Sequence, residues 1–139
     1  MSYAKRTKVP ADRSKAEIEK ILRRYGADQF LSGWTEGRAM IGFRAHKRNV
    51  RFELTLPDPN KSRSITAHEQ EVRRRWRALA LVVKAKLEAV ASNITTFEEE
   101  FMAHIVMPDG RTVGQHVRPQ IEASYASGKV VPLLLGSGA

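Results

Sequence analysis

The sequence predicts an α+β domain: a three-stranded antiparallel meander covered by a short N-terminal helix and a long central helix, with two further helices towards the C-terminus. Three observations predict it. An apolar stripe at i, i+3, i+4, i+7 runs up to Tyr25, period-2 runs occupy residues 27–56, and apolar positions 3 or 4 apart continue from Val72 to Val90. With 139 residues, 42% hydrophobic and 28% charged, the chain has the length and composition of one globular domain. One core is expected over residues 13–135, with a flexible basic arm over 1–12 and a short tail over 136–139.

Ser14-Lys15-Ala16-Glu17 has capping-box spacing, so the first helix is expected to start at Ser14. Ile18, Ile21, Leu22 and Tyr25 form its apolar stripe, and Gly26 suits the left-handed residue that stops it. In the strand that follows, Phe30, Ser32 and Trp34 alternate with Gln29, Leu31 and Gly33, and Glu36-Gly37 makes the turn. Arg38 to Leu56 then reads as a hairpin. Ile41, Phe43 and Ala45 share a face with Val50, Phe52, Leu54 and Leu56, while Arg38, Met40, Gly42, Arg44, Arg51, Glu53 and Thr55 share the other. The expected turn is His46-Lys47-Arg48-Asn49, with Asn49 at positive φ.

Pro57-Asp58-Pro59 ends the third strand, because proline cannot donate to a ladder. Thr66 and Glu69 repeat the capping-box spacing, and Val72, Trp76, Leu79, Val83, Leu87 and Val90 carry a long helix to about Ala91. Its stripe, widened by Ala80, Leu81 and Val82, is expected to pack on the sheet and also on the C-terminal helices. Ser92-Asn93 breaks it. Thr95 or Thr96 starts the next helix, Thr96 and Glu99 having capping-box spacing, on Phe97, Phe101 and Ile105; Met107 to Gly110 is a turn. The last helix, about Thr112 to Ala126, is expected on Val113, Val117, Ile121 and Tyr125, with Pro119 inside it and Gly128 closing it. The apolar tail from Val130 to Leu135 is a candidate homo-oligomer contact.

The net charge is +9, and it is uneven: residues 1–86 carry +12 and residues 87–139 carry −3. Such a basic body is attracted to phosphate backbones. No cysteine is present, which removes disulfides, thiolate catalysis and cysteine-based zinc sites from consideration. No apolar run approaches the length of a membrane span and MSYAKRTKVP has no signal-like apolar core, so a cytoplasmic location without membrane association is expected. Phosphate-loop, dinucleotide-binding and serine-esterase motifs are lacking.

Two basic elements stand out: Arg44, Lys47, Arg48 and Arg51 on the hairpin, and Arg73, Arg74, Arg75 and Arg77 around Trp76 on the long helix. They are expected to form one continuous phosphate-gripping surface, with Lys5, Arg6 and Lys8 as an auxiliary arm. Base stacking would need exposed aromatics. Phe43, Phe52 and Trp76 lie on core stripes, which leaves Trp34 and Tyr3. His46, His68, His104 and His116 form no metal-ligand spacing, so no metal or cofactor is expected. Glu98-Glu99-Glu100 with His104 at i+4 from Glu100 is the nearest approach to a metal-dependent nuclease site, but an acidic helix start accounts for the triplet without any chemistry.

The order helix, three-strand meander, helix over residues 14–91 resembles the double-stranded RNA-binding domain, which grips phosphates with the basic start of its second helix. This chain has Thr66-Ala67-His68-Glu69 there, acidic where that family is basic. RSKAEIEKILRRYGADQF, IGFRAHKRNVRFELTLPDP and MPDGRTV resemble small uncharacterised proteins carried by phages and prophages. The combined expectation is a non-enzymatic protein that binds DNA or RNA, an accessory of phage replication, recombination or transcription in a bacterial host cell. The alternative from another class is a protein-binding module, such as a phage inhibitor of a host defence enzyme.

Overall fold

The computed structural model describes residues 3–133, with side chains from residue 12 onward. The elements run α1 (Tyr3–Arg24), β1 (Gln29–Thr35), β2 (Arg38–Ala45), β3 (Arg48–Thr55), α2 (Ile65–Ala91), α3 (Phe97–Phe101) and α4 (Val113–Ser127). The three strands form an antiparallel sheet in the order β1-β2-β3. This is the expected α+β class with its three-stranded meander.

Register follows the apolar alternation. Ile41 pairs with Phe52, Phe43 with Val50 and Ala39 with Leu54, so one sheet face is continuous hydrocarbon. Helices α1 and α2 cover that face, and Ile18, Leu22, Ile41, Val50, Val72, Trp76, Val83 and Phe101 lie at the bottom of the shared core. The two helices run the same way: Lys15 lies over the Trp76 ring at 5.0 Å, and ten residues on the Tyr25 hydroxyl donates to Glu88. Gly26 at φ +97° stops α1 as its position predicts.

Several expected boundaries move. Helix α1 begins at Tyr3, so Ser14 is a buried interior residue and not the start. The basic arm expected over 1–12 overlaps this helix, and the side chains of Lys5, Arg6, Lys8 and Tyr3 lie outside those described. The hairpin turn is His46-Lys47 alone, at φ +51° and +63°, and Asn49 belongs to β3 opposite Arg44. A two-residue turn with both residues left-handed matches the twist of the flanking strands, which a four-residue polar reading misses. Helix α2 is capped by Ser64, whose hydroxyl accepts from the Ala67 amide, rather than by Thr66.

The C-terminal third departs most. Thr96 caps α3 as expected, accepting from the Glu99 amide, but α3 ends at Phe101 and a 3-10 turn over Met102–His104 follows. Ile105 is therefore not helical; it bridges Val50, and the Val106 amide donates to the Asn49 carbonyl at 2.8 Å. The outer edge of β3 is thereby partnered at its start, at Asn49 and Val50. Thr112 and Gln115 form a full capping box at the start of α4, and Gly128 at φ +72° ends it. The expected stripe of α4 is not its buried side: Ile121 and Tyr125 are exposed, and the residue it buries is His116. Helix α4 packs on the 3-10 turn, and Leu81 and Val82 of α2 stay exposed, so of the C-terminal helices it is α3 that α2 meets. The segment from Leu134 onward lies outside the described residues.

Candidate functional site

The hairpin cations do not share one surface. Arg44 is half-buried on the sheet face away from the helices, opposite Gln29 and Asn49, and Lys47 stands exposed in the turn. Arg48 follows the helix-side alternation of Val50 and Phe52, and its guanidinium lies 3.6 Å from Glu98. Arg51 is on the open face but reaches the chain beyond it, donating to the Gly110 carbonyl at 2.9 Å and the Gln115 side chain at 3.2 Å. Gln115 is the residue that closes the α4 capping box, so Arg51 ties the hairpin to the start of α4.

The long-helix arginines divide in the same way. Arg74 and Arg75 both donate to Glu71, and those hydrogen bonds, Arg74's first, hold the Glu71 carboxyl down at about 2. Arg75 also donates to the Thr55 carbonyl, pinning α2 to the end of β3. Arg73 and Arg77 are exposed and, among the described residues, have neither hydrogen bond nor ion pair. Thr55 is at one end of β3 and the His46-Lys47 turn at the other, about 23 Å away at ~3.3 Å per residue. The hairpin tip and the arginine ridge are thus separate positive regions.

The fold assembles a basic surface that the linear pattern did not single out. At ~100° per residue, Arg73, Arg77 and Lys84 fall within about 40° of one another on α2, and Arg13, Lys20 and Arg24 do so on α1. All six are exposed and, among the described residues, unpaired. Glu88, one turn past Lys84, receives Tyr25, so the α2 row borders α1. On α1, Glu19, Leu22 and Arg23 line a shallow cleft against Ala27 to Phe30, which turns the row of Arg13, Lys20 and Arg24 away from the sheet. Two parallel rows of three cations therefore run along the outer helical layer, with Glu17, Glu69 and Glu88 the acids beside them. Spacing along each helix was readable from sequence; the parallel pairing of helices 40 residues apart was not.

The aromatic side chains mostly serve the core. Phe97 stacks on Phe101 at 4.7 Å, and Phe101 meets Phe43 and Phe52 edge-on. His46 stacks on Phe97 and His104 on Phe52, at 4.6 and 4.0 Å. Burial, followed by the nearby Lys86 charge, pushes the His104 imidazole below its usual range. Trp34, 66% exposed at the end of β1, and Tyr125, 87% exposed on α4, are the exceptions. In the acidic triplet, Glu98 pairs with Arg48, Glu99 with the Thr96 hydroxyl, and Glu100 with Lys86 at 3.5 Å. His116 lies 2.8 Å from Asp109, whose carboxyl is held low by the Arg111 amide and by His116. Among the described residues no three His, Asp or Glu side chains come together to hold a metal ion, and no helix is long and apolar enough to cross a membrane.

Comparison with protein-family models, curated proteins and solved structures finds no match to this chain.

Proposed function

We propose that this protein binds nucleic acid without acting on it, holding phosphates along the outer surface of α1 and α2. The observation that carries the reading is the double row of Arg13, Lys20, Arg24, Arg73, Arg77 and Lys84, six exposed cations without an ion-pair partner among the described residues. Cations left unpaired are free to neutralise phosphates, and each phosphate so neutralised releases counterions condensed on the polyanion. Each row spans about 16 Å at ~1.5 Å per residue, and packed helices lie roughly 8–10 Å apart, so the surface is larger than one phosphate and suits a chain of them. Lys5, Arg6 and Lys8 precede the α1 row on the same helix. Arg44 and Lys47 form a second, smaller contact at the hairpin; Arg48, Arg51, Arg74 and Arg75 are engaged within the protein and contribute mainly to its structure.

The resemblance to phage-borne proteins makes replication, recombination and transcription the processes to examine first. Fluorescence anisotropy with single- and double-stranded DNA and RNA oligonucleotides at low salt tests the proposal. Binding that weakens steeply as salt rises is expected, and no binding to any of the four at low salt would overturn it.

A further inference from the structure

We propose that the free edge of β1 pairs antiparallel with β1 of a second copy of this chain, joining two three-stranded sheets into one of six strands. The two edges of the sheet are treated differently. The β3 edge is bridged by Ile105 and receives the Val106 amide, whereas among the described residues β1 pairs only with β2. A free edge carries a row of unpaired amide and carbonyl groups, and proteins ordinarily guard it with lysine, proline, a bulge or a covering segment. Strand β1, QFLSGWT, holds no charged residue and no proline, and its ladder to β2 runs without a bulge from Gln29 to Thr35.

Each face of this edge carries one exposed apolar side chain. Leu31 is 58% exposed on one face and Trp34 66% on the other, the two largest apolar exposures in the sheet. The occupant follows from charge. A copy of the same neutral strand brings no like charge to the seam, although the rest of each chain is strongly basic. Centred on Leu31, the two-fold sets Leu31 against itself, Phe30 against Ser32, Gln29 against Gly33 and Asp28 against Trp34. Centred one residue later, Asp28 would oppose Glu36 at both ends, which is destabilising. The Leu31-centred register is therefore the favoured one.

The absence of native cysteine makes the test direct, because an introduced thiol is unique. Light scattering of the full chain after gel filtration should give twice the monomer mass. Leu31→Lys should return it to a monomer with an unchanged circular dichroism spectrum, and Tyr125→Lys on the exposed stripe of α4 should not. Under mild oxidation Leu31→Cys should form a covalent dimer, since residues directly opposite in an antiparallel pair place their Cα atoms about 4.5–5.5 Å apart, inside the roughly 4.4–6.8 Å that a disulfide spans. This measurement stands even if Leu31→Lys fails to fold. A wild-type chain that stays monomeric at high concentration overturns the proposal. So does a dimer that Tyr125→Lys dissociates and Leu31→Cys does not cross-link.

Discussion

The His46-Lys47 turn offers the sharpest test of the local structure, because glycine substitutions at two neighbouring positions should act in opposite directions. Lys47 sits at φ +63°, in the left-handed region where an L side chain is crowded at a cost of roughly 1–2 kcal/mol. Glycine relieves that crowding but loses about 0.5–1 kcal/mol more backbone entropy on folding. Lys47→Gly should therefore stabilise the protein by about 0.5–1 kcal/mol, a rise in melting temperature of about 1–4 °C for a chain of this size. Asn49 lies in β3 opposite Arg44, so Asn49→Gly should cost about 0.5–1 kcal/mol by the same entropy. Thermal and urea unfolding followed by circular dichroism measure both. The reverse pattern, with Asn49→Gly stabilising and Lys47→Gly destabilising, would restore the four-residue turn and refute the observed register.

Two further substitutions address the core and its titration. Phe101 is fully buried against Phe43, Phe52 and Phe97, so Phe101→Ala should cost about 3–5 kcal/mol in urea unfolding; a loss below ~1 kcal/mol would mean that α3 is not part of the core. Burial holds the folded pKa of His104 below that of an ordinary imidazole, so the unfolded chain binds its proton first as pH falls. Its contribution to stability should be complete above the unfolded value and decline as pH drops through and below it; His104→Gln should flatten that part of the profile, and an unaltered profile in this variant would contradict the assignment.

Wherever one periodicity ran without interruption, the sequence was enough to place the fold. Alternation from Ala39 to Leu54 determined both register and buried face, because shifting a strand by one residue would turn Phe43 and Phe52 into water. Gly26, Gly37 and Gly128 marked ends and turns because they take up positive φ. The pattern misled where tertiary contacts overrode it. Ile105 continues the spacing of Phe97 and Phe101, yet bridging Val50 satisfies the β3 edge, and the helix gives way. Ile121 and Tyr125 have helical spacing yet, among the described residues, stay exposed, while His116 is buried beside Asp109. Charge composition identified a basic body but not its geometry. Glu71 engages Arg74 and Arg75 through local i, i+3 and i, i+4 spacing, which was legible; Arg51 reaches Gly110 across 59 residues, which was not.

The central claim is that the outer surface of α1 and α2 carries the nucleic-acid contact, and the salt dependence of binding measures it most directly. If all six row cations meet phosphates of a DNA duplex, log K should fall against log salt with a slope of about −5, and each lost contact should reduce it by about 0.9. Replacing Lys20, Arg73, Arg77 and Lys84 together by alanine should weaken binding and bring the slope to about −2, whereas replacing Arg44 and Lys47 should change it by less than 2. A quadruple variant that folds and binds with the wild-type affinity and slope would contradict the account.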